Sequence, residues 1–342
     1  MRAAFRVDAS SSVGGGHAAR CLVLADALRA RGVPSIFLSR NDPGHPAGWI
    51  SRRGFETILL PPSPLSPSAD ADATAQCIPS DASILVVDHY ALGAEFEAAL
   101  RPRVKTLLAV DDLARPHACD LLLDQNLLPN PESRYLGKLP PSCRLLLGPS
   151  FVLLDPSFAA LAPSAAARSA LRRLLLFFGG ADADDLTRRA LLELDPLSIP
   201  GDVVVGASNP RRAEIESLCA RRPSLWTLHV QTNRMAELVA RADFALGAGG
   251  CSHWERCLLG LPAAVVAVAP NQLPATREIA SRGACLFLGE ISALADGALR
   301  HAVESFRADP QALAAMSRAA RAILPDGNGA GRVADAILEN RP

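Results

Sequence analysis

Short apolar runs of strand length alternate with segments of helical periodicity along this whole chain. Such alternation is typical of βαβ units, in which parallel strands are covered by helices. In the first half we predict strands at Ala3–Val7, Ser35–Leu38, Thr57–Leu60, Ile84–Val87, Thr106–Val110, Leu121–Asp124 and Arg144–Leu147. In the second half we predict strands at Leu174–Phe178, Asp202–Val205, Leu225–Val230, Phe244–Leu246, Ala263–Val268 and Ala284–Leu286. The fold class that follows is α/β with parallel sheets.

The length of the chain indicates two domains. Its 342 residues exceed the roughly 250–300 at which a single hydrophobic core stops growing. The stretch Leu161–Arg168 (LAPSAAAR) is composed mostly of small residues and contains proline, and a new series of strands begins just after it. We therefore predict a linker there. The expected domains are two Rossmann-like domains, residues 1–160 and 170–342, with parallel sheets that face a central cleft.

Charge and hydropathy patterning exclude several classes of protein. The sequence has 35 basic and 35 acidic side chains, which favours neither a nucleic-acid nor an anionic-membrane partner. No apolar run approaches the ~20 residues of a membrane helix. The segment Met1–Asp8 carries Arg2 and Arg6, so it predicts a first strand and not a signal peptide, and we expect a cytoplasmic protein. The cysteines form no CxxC pair, and no His/Asp/Cys cluster indicates a metal site.

The first strand leads into a glycine-rich loop that ends in a histidine. Gly14, Gly15 and Gly16 precede His17, where a helix is predicted to begin. Glycines allow close approach of a ligand, and a helix N-terminus offers unpaired N–H groups. A histidine that only bonds the backbone is the alternative, but the three glycines favour a functional one. We predict that His17 is a general base and that the glycines and Arg20 contact the substrate.

Polar residues end the fourth and fifth predicted strands. Asp88, His89 and Tyr90 follow the fourth strand, at the edge of the sheet where open α/β folds bind ligands. We predict that His89 and Tyr90 contact substrate, whereas Asp88 fits a capping role and a ligand-binding role equally well. The pair Asp111–Asp112 after the fifth strand favours structural capping over catalysis.

The second half contains two further glycine loops. Gly179–Gly180 ends its first strand and would let the backbone approach a phosphate. The segment Gly247–Glu255 (GAGGCSHWE) passes from a strand through glycines into a helix, and its amides at Cys251 and Ser252 should point at a diphosphate. Glu255 can bind a ribose diol. The predicted nucleotide-binding residues are Gly179, Gly180, Met235, Gly249, Gly250, Cys251, Ser252 and Glu255.

A polar pair follows the next strand. The side-chain amides of Asn271 and Gln272 could bind sugar hydroxyl or acetamido groups, or hold a water molecule. A pair of catalytic carboxylates is not evident, which argues against the two-carboxylate glycosidase mechanism.

Six segments, in order, resemble the UDP-2,4-diacetamido-2,4,6-trideoxy-β-L-altropyranose hydrolases of pseudaminic acid biosynthesis, which are relatives of GT-B glycosyltransferases. The segments are FRVDASSSVGGGHAARCLVLADALRARG, VVDHYALG, VDDLARPHACDLLLDQN, LGPSFVLLDPSF, FFGGAD and GAGGCSHWERCLLGLPAAVVAVAPNQ. The resemblance implies a GT-B-like fold, a catalytic base at His17 and UDP on the second domain. It also implies that Asn271 lies near the sugar and the attacking water, and that His89 and Tyr90 face the sugar.

The chemistry implied is attack of water at the anomeric carbon with inversion and release of UDP. UDP is a good leaving group when amides and a helix N-terminus stabilise its charge, so one base is sufficient and no cofactor is expected. A GT-B glycosyltransferase, a UDP-sugar 2-epimerase and a non-catalytic nucleotide-sugar sensor are the alternatives. The sequence does not fix the oligomeric state, although we expect a monomer.

Overall fold

The computed structural model describes residues 1–9, 15–63, 65–165, 167–324 and 326–340. It divides into two compact units, which we call unit 1 (Met1–Asp155 with Asn328–Pro342) and unit 2 (Pro156–Gly327). Gly14 and the rest of the segment 10–14 lie outside the described residues, so the prediction for Gly14 stays a prediction.

The strands fall where the sequence predicts them, except that the last one, predicted at Ala284–Leu286, runs from Leu286 to Glu290. Those of unit 1 are β1 (Arg2–Val7), β2 (Ser35–Arg40), β3 (Glu56–Leu60), β4 (Ala82–Asp88), β5 (Thr106–Val110), β6 (Leu121–Asp124) and β7 (Arg144–Leu147). Those of unit 2 are β8 (Leu174–Phe177), β9 (Gly201–Val205), β10 (Trp226–Val230), β11 (Phe244–Ala248), β12 (Ala263–Ala267) and β13 (Leu286–Glu290).

Helices connect the strands. In chain order they are α1 (Gly16–Arg29), α2 (Ala47–Arg52), α3 (Pro67–Cys77), α4 (Ala94–Leu100), α5 (Pro156–Leu161), α6 (Leu186–Leu194), α7 (Arg212–Arg221), α8 (Met235–Arg241), α9 (Ser252–Leu259), α10 (Leu273–Ser281), α11 (Ala298–Ala308), α12 (Pro310–Ile323) and α13 (Gly329–Glu339).

Both units contain one parallel sheet of doubly wound topology. The order is β3-β2-β1-β4-β5-β6-β7 in unit 1 and β10-β9-β8-β11-β12-β13 in unit 2. In each unit the chain starts in the middle of the sheet, and the order reverses between β1 and β4 or between β8 and β11. Ligands of open α/β sheets bind beyond the carboxyl ends of the strands at this reversal. The glycine loops predicted from the sequence follow β1, β8 and β11.

Helices cover both faces of the unit 1 sheet, which explains its nearly continuous apolar strands. Successive residues of β1 alternate between two cores: Phe5 packs in one cluster with Leu24 of α1, and Ala4 packs in the other with Phe96 of α4. All five residues of β5 are buried. The strand ends are therefore held rigidly, and side chains that follow them are fixed in position.

The division of the chain differs from the predicted domains 1–160 and 170–342. The last helix, α13, belongs to unit 1, where Val333 and Ile337 are buried in the same cluster as Leu24 and Leu28 of α1. Unit 2 starts at Pro156, before the expected boundary. An apolar helix face does not reveal which sheet it covers, so the sequence could not assign α13.

The predicted linker Leu161–Arg168 ends at a buried residue of unit 2. Arg168 is buried and donates hydrogen bonds to the backbone carbonyl oxygens of Val239 (3.1 Å), Ala240 (3.0 Å), Ala242 (3.2 Å) and Leu259. These carbonyls lie in and just after α8 and at the end of α9, where helices leave acceptors unpaired. Arg168 is therefore a structural part of unit 2.

Candidate active site

His17 and Asp88 meet at the carboxyl edge of the unit 1 sheet. His17 lies in the first turn of α1, and Asp88 ends β4, the strand that pairs with β1. The His17 Nδ1 atom lies 2.5 Å from Asp88 Oδ1. A carboxylate only accepts hydrogen bonds, so we assign the ring proton to Nδ1. The other ring nitrogen, Nε2, then carries the lone pair, and no residue in the described ranges hydrogen-bonds to it.

The Asp88 carboxylate is wholly buried and is held by Arg20 as well. Arg20 Nε lies 2.5 Å from Asp88 Oδ2, and Arg20 Nη2 lies 2.6 Å from Oδ1. Burial raises the pKa of Asp88, but the charge of Arg20 and the hydrogen bonds from Arg20 and His17 more than offset it, so this pKa lies well below its usual range. Asp88 is therefore ionised when it orients His17. Arg20, predicted to contact substrate, directs its guanidinium at Asp88.

Tyr90 lies beside His17 and faces solvent. Its ring packs edge-on against the imidazole, with centroids 4.5 Å apart, and the residue is 40% exposed. Its hydroxyl donates to Asp112 Oδ2 at 3.2 Å. Burial of part of the ring and the charge of Asp112 raise the pKa of Tyr90, so it stays a neutral phenol. Of the polar residues after β4, Tyr90 is thus placed to offer an exposed aromatic surface next to the base.

His89 has a different setting from its neighbour. Its Nε2 atom lies 3.0 Å from Asp8 Oδ2, and its Nδ1 atom accepts a hydrogen bond from the Ala91 amide at 3.0 Å. Both ring nitrogens are therefore engaged within unit 1. Burial raises the pKa of Asp8, but the bonds from His89 and Arg6 hold it well below its usual range. His89 fits a positioning role better than the predicted direct contact through a ring nitrogen.

Neither described glycine at the start of α1 is required by steric crowding of the backbone. A Cβ atom added to Gly15 would lie 3.4 Å from the Trp49 ring, and one added to Gly16 would meet nothing within 4 Å. Gly16 therefore leaves open space beside His17, as a ligand-binding loop requires.

In unit 2 the glycine loop after β11 packs tightly against α10 and the turn before it. A Cβ atom on Gly249 would lie 2.9 Å from Thr276 Oγ1, and Gly250 has a φ of +79°, in the left-handed region. Gln272 also packs against the loop, because a Cβ atom on Gly249 would lie 3.0 Å from Gln272 Cβ. The Gln272 Oε1 atom accepts from the Val268 amide, just after β12, at 3.1 Å. The loop delivers the chain to Ser252, the first residue of α9, with Cys251 exposed just before it. This is the geometry expected of a phosphate-binding helix N-terminus.

The loop after β8 is fixed by a glycine that the sequence did not single out. Gly179 has a φ of +103°. The Gly206 amide, just after β9, donates to the Gly180 carbonyl at 2.8 Å. A Cβ atom on Gly206 would lie 2.7 Å from that oxygen. One glycine after a strand is common, so no sequence signal marked Gly206.

A small pocket of about 10 Å³, roughly the space of one water molecule, lies in unit 2 beside the β11 loop. Three of the predicted UDP-binding residues, Met235, Ser252 and Glu255, lie together in its wall. The other lining residues are Leu175, Phe177, Val239, Ala245, Leu246 and Arg256. The walls of the pocket are mostly apolar and include a few polar groups. Arg256 was missed from the sequence, because a single arginine inside a helix carries no motif.

Asn271 lies on the same short turn as Gln272, a 3₁₀ helix at Pro270–Gln272 that leads into α10. It is half-buried in unit 2. Asn271 is therefore next to Gln272, which packs against the β11 loop of unit 2. His17 belongs to the other unit, unit 1.

Within the described ranges, no group of three or more His, Cys, Asp or Glu side chains is arranged to hold a metal ion. The helices described there are also too short or too polar to cross a lipid bilayer.

Comparison with curated proteins supports the resemblance predicted from the sequence. No model of a known protein family matches the chain. It is 27% identical over 201 residues to the spore coat polysaccharide biosynthesis protein SpsG of Bacillus subtilis, covering 58% of each chain. It is 23% identical over 284 residues to the UDP-2,4-diacetamido-2,4,6-trideoxy-β-L-altropyranose hydrolase of Campylobacter jejuni, covering 83% of this chain and 97% of that protein. The predicted resemblance to such hydrolases is confirmed.

Comparison with solved structures supports the fold class. MurG of Acinetobacter baumannii superimposes with a TM-score of 0.69 at 16% identity, over 99% of this chain and 100% of that one. The spinosyn rhamnosyltransferase SpnG, complexed with thymidine diphosphate, gives 0.64 at 15% identity, over 98% and 100%. The α/β, GT-B-like fold class is confirmed. The predicted cleft between the sheets stays a prediction.

Proposed function

We propose that this chain is a UDP-sugar hydrolase in which His17 activates water for inverting attack at the anomeric carbon. The observation that carries the proposal is the pair formed by His17 and Asp88. A base whose second ring nitrogen is held by a buried carboxylate is the arrangement that activates weak nucleophiles in many enzymes. A non-catalytic sensor would have no use for it.

In this mechanism His17 Nε2 takes a proton from water as the oxygen attacks the sugar. The imidazolium that forms is stabilised by the ionised Asp88, which in turn is held in place by Arg20. General-base catalysis of this kind contributes about 10²–10⁴-fold. Tyr90, packed against His17, would form an apolar wall for the sugar.

The nucleotide is assigned to unit 2. The amides at the start of α9 would bind the diphosphate, Glu255 would bind the ribose, and the base would lie near Met235. UDP can then leave without a general acid, because these groups stabilise the charge that develops on it. Asn271 is proposed to contact the sugar or the attacking water.

The sugar proposed is a 2,4-diacetamido-2,4,6-trideoxyhexose, as in the name of the Campylobacter jejuni relative. Within that proposal, the product would serve pseudaminic acid or related nonulosonic acid biosynthesis.

A GT-B glycosyltransferase is the second candidate, because the fold is shared with a rhamnosyltransferase, SpnG. The same His17 could deprotonate an acceptor hydroxyl in place of water. The two functions differ in whether a sugar product forms when no acceptor is present.

The test is incubation of the purified protein with UDP-2,4-diacetamido-2,4,6-trideoxy-β-L-altropyranose and a panel of other UDP-sugars in ¹⁸O-water, followed by NMR and mass spectrometry. We expect UDP and free sugar, with inverted configuration in the first-formed anomer and ¹⁸O only in the sugar. Label in UDP would mean P–O cleavage and would contradict the mechanism. Turnover that requires an added acceptor would favour the transferase.

A further inference from the structure

The guanidinium of Arg256 lies beneath the glycine loop of unit 2. Arg256 is in the second turn of α9, and helical side chains lean toward the N-terminus of their helix. Its Nη2 atom donates to the carbonyl of Ala248, the last residue of β11, at 2.9 Å. A Cβ atom on Gly247 would lie 2.9 Å from its Nη1 atom. The positive charge therefore lies beneath the loop that leads into α9.

No carboxylate in the described residues hydrogen-bonds to this charge. The second partner of Nη2 is His253 Nδ1, at 3.3 Å, and His253 Nε2 contacts Thr276 Oγ1 at 2.9 Å. Burial and the nearby Arg256 charge lower the pKa of His253, so the histidine is neutral and cannot compensate a cation. It accepts through Nδ1 and so fixes the guanidinium in place.

Two other buried arginines are paired with carboxylates, whereas the Arg168 guanidinium donates to backbone carbonyls. Arg6 bonds with Asp8 and Asp70, and Arg20 bonds with Asp88. Arg256 is only 5% exposed, and its hydrogen-bond partners are one carbonyl and one imidazole. Burial lowers the pKa of Arg256. The charge of Glu255 offsets this lowering only in part. A buried cation that is only partly compensated is costly, and such a site attracts an anion from solution.

Arg256 lines the same pocket as Ser252 and Glu255, two of the residues assigned to the nucleotide. We propose that Arg256 is an anion-binding residue that donates from Nε or Nη1 to the diphosphate of a nucleoside diphosphate. This inference rests on the proposed nucleotide site and adds a fixed cation to the helix amides. A desolvated, preorganised cation also stabilises the charge that develops on a departing diphosphate.

The experiment measures binding to the full chain by calorimetry, with UDP, UMP and uridine as probes and without turnover. Arg256→Met removes the charge at similar length, and Arg256→Gln keeps a donor for Ala248. Loss of one hydrogen bond to a charged group predicts a UDP affinity about 10–100-fold weaker in both variants. Uridine affinity should stay within about twofold, since no phosphate is lost. Arg221→Met, at an exposed position of α7, is the matched control and should change neither affinity.

Equal losses of UDP and uridine affinity would overturn the proposal, because they would show that Arg256 contacts the uracil or only stabilises the fold. Unchanged UDP affinity would overturn it too. If neither variant folds, the wild-type protein decides: UDP must bind at least about tenfold more tightly than uridine, and equal affinities would contradict a diphosphate site. Wild-type protein that fails to bind UDP refutes the proposed function itself.

Discussion

The Asp88 carboxylate receives hydrogen bonds from His17 and from two nitrogens of Arg20 inside a site closed to solvent. We predict that Asp88→Asn lowers kcat at least about 100-fold, because an amide no longer fixes the Nδ1–H tautomer or stabilises the imidazolium. UDP affinity, measured by calorimetry, should stay within about twofold, since the nucleotide is assigned to unit 2. Asp26→Asn, which removes a carboxylate from ion pairs with Arg29 and Arg53 on the outside of α1, is the control. Near-wild-type kcat in Asp88→Asn would contradict the role of the pair.

The sequence predicted His17 but left Asp88 undecided between capping and ligand binding. The reason is topological. Val7 and Asp88 are distant in sequence and become register partners only because β1 pairs directly with β4. A doubly wound order, once assumed, would have brought His17 and Asp88 to the same edge. Arg256 had no comparable signal, because its importance depends on which groups fail to neutralise it.

A second residue-scale prediction concerns His117, which is buried between two carboxylates of unit 1. Its Nδ1 atom lies 2.7 Å from Glu97 Oε1, and its Nε2 atom lies 3.5 Å from Asp111 Oδ1. Burial alone would lower the pKa of His117, but the bonds with Asp111 and Glu97 raise it to about 9. A raised pKa contributes stability that is complete below the unfolded value near 6.5 and is lost as the pH rises through about 9.

The thermal unfolding midpoint of the wild-type protein should therefore fall between pH 6.5 and 9.5, whereas His117→Gln should start lower and change less over this range. The wild-type contribution lost is at most about 3 kcal/mol. His301→Gln, at an exposed position on α11, should retain the wild-type pH dependence. Identical pH profiles for the wild type and His117→Gln would refute the ion pair.

At the scale of elements, the loops after β8 and β9 touch through their glycines. A methyl group on Gly206 would lie 2.7 Å from the Gly180 oxygen, whereas one on Gly180 would lie 3.7 Å from Gly206 Cα, an ordinary contact. We predict that Gly206→Ala destabilises the protein by about 1–3 kcal/mol, because backbone must move. Gly180→Ala should cost much less. Thermal unfolding of the two variants compares them directly, and equal midpoints would show that the loops are not in fixed contact.

The strands were predictable because parallel strands buried on both faces are continuous apolar runs. The glycine loops were found for a related reason: they follow those strands. The packing beneath the loops was not predictable. Thr276 and Gln272 press on Gly249 from α10 and the turn before it, and this contact between distant segments leaves no local pattern.

At the scale of the whole chain, the division into units is the feature that the sequence missed most clearly. Pattern and composition placed everything after the expected linker in the second domain. The chain in fact returns to unit 1 through α13, whose apolar face completes the cover over α1. Most of the stability of a helix in a protein comes from packing against a partner surface, and the sequence of the helix does not specify that surface.

This return leads to the last prediction. Ile337 is buried in the core of unit 1 and Leu313 of α12 in the core of unit 2. Ile337→Ala should cost about 2–5 kcal/mol, and the loss should fall on unit 1 alone. Hydrogen exchange followed by mass spectrometry should show faster exchange in β1 and β4 and unchanged exchange in β8 and β11, with UDP affinity retained. Leu313→Ala is the matched control and should give the reverse pattern. If Ile337→Ala accelerates exchange in β8 and β11 as much as in β1, then α13 stabilises both units and the division at Asn328 is not an energetic one.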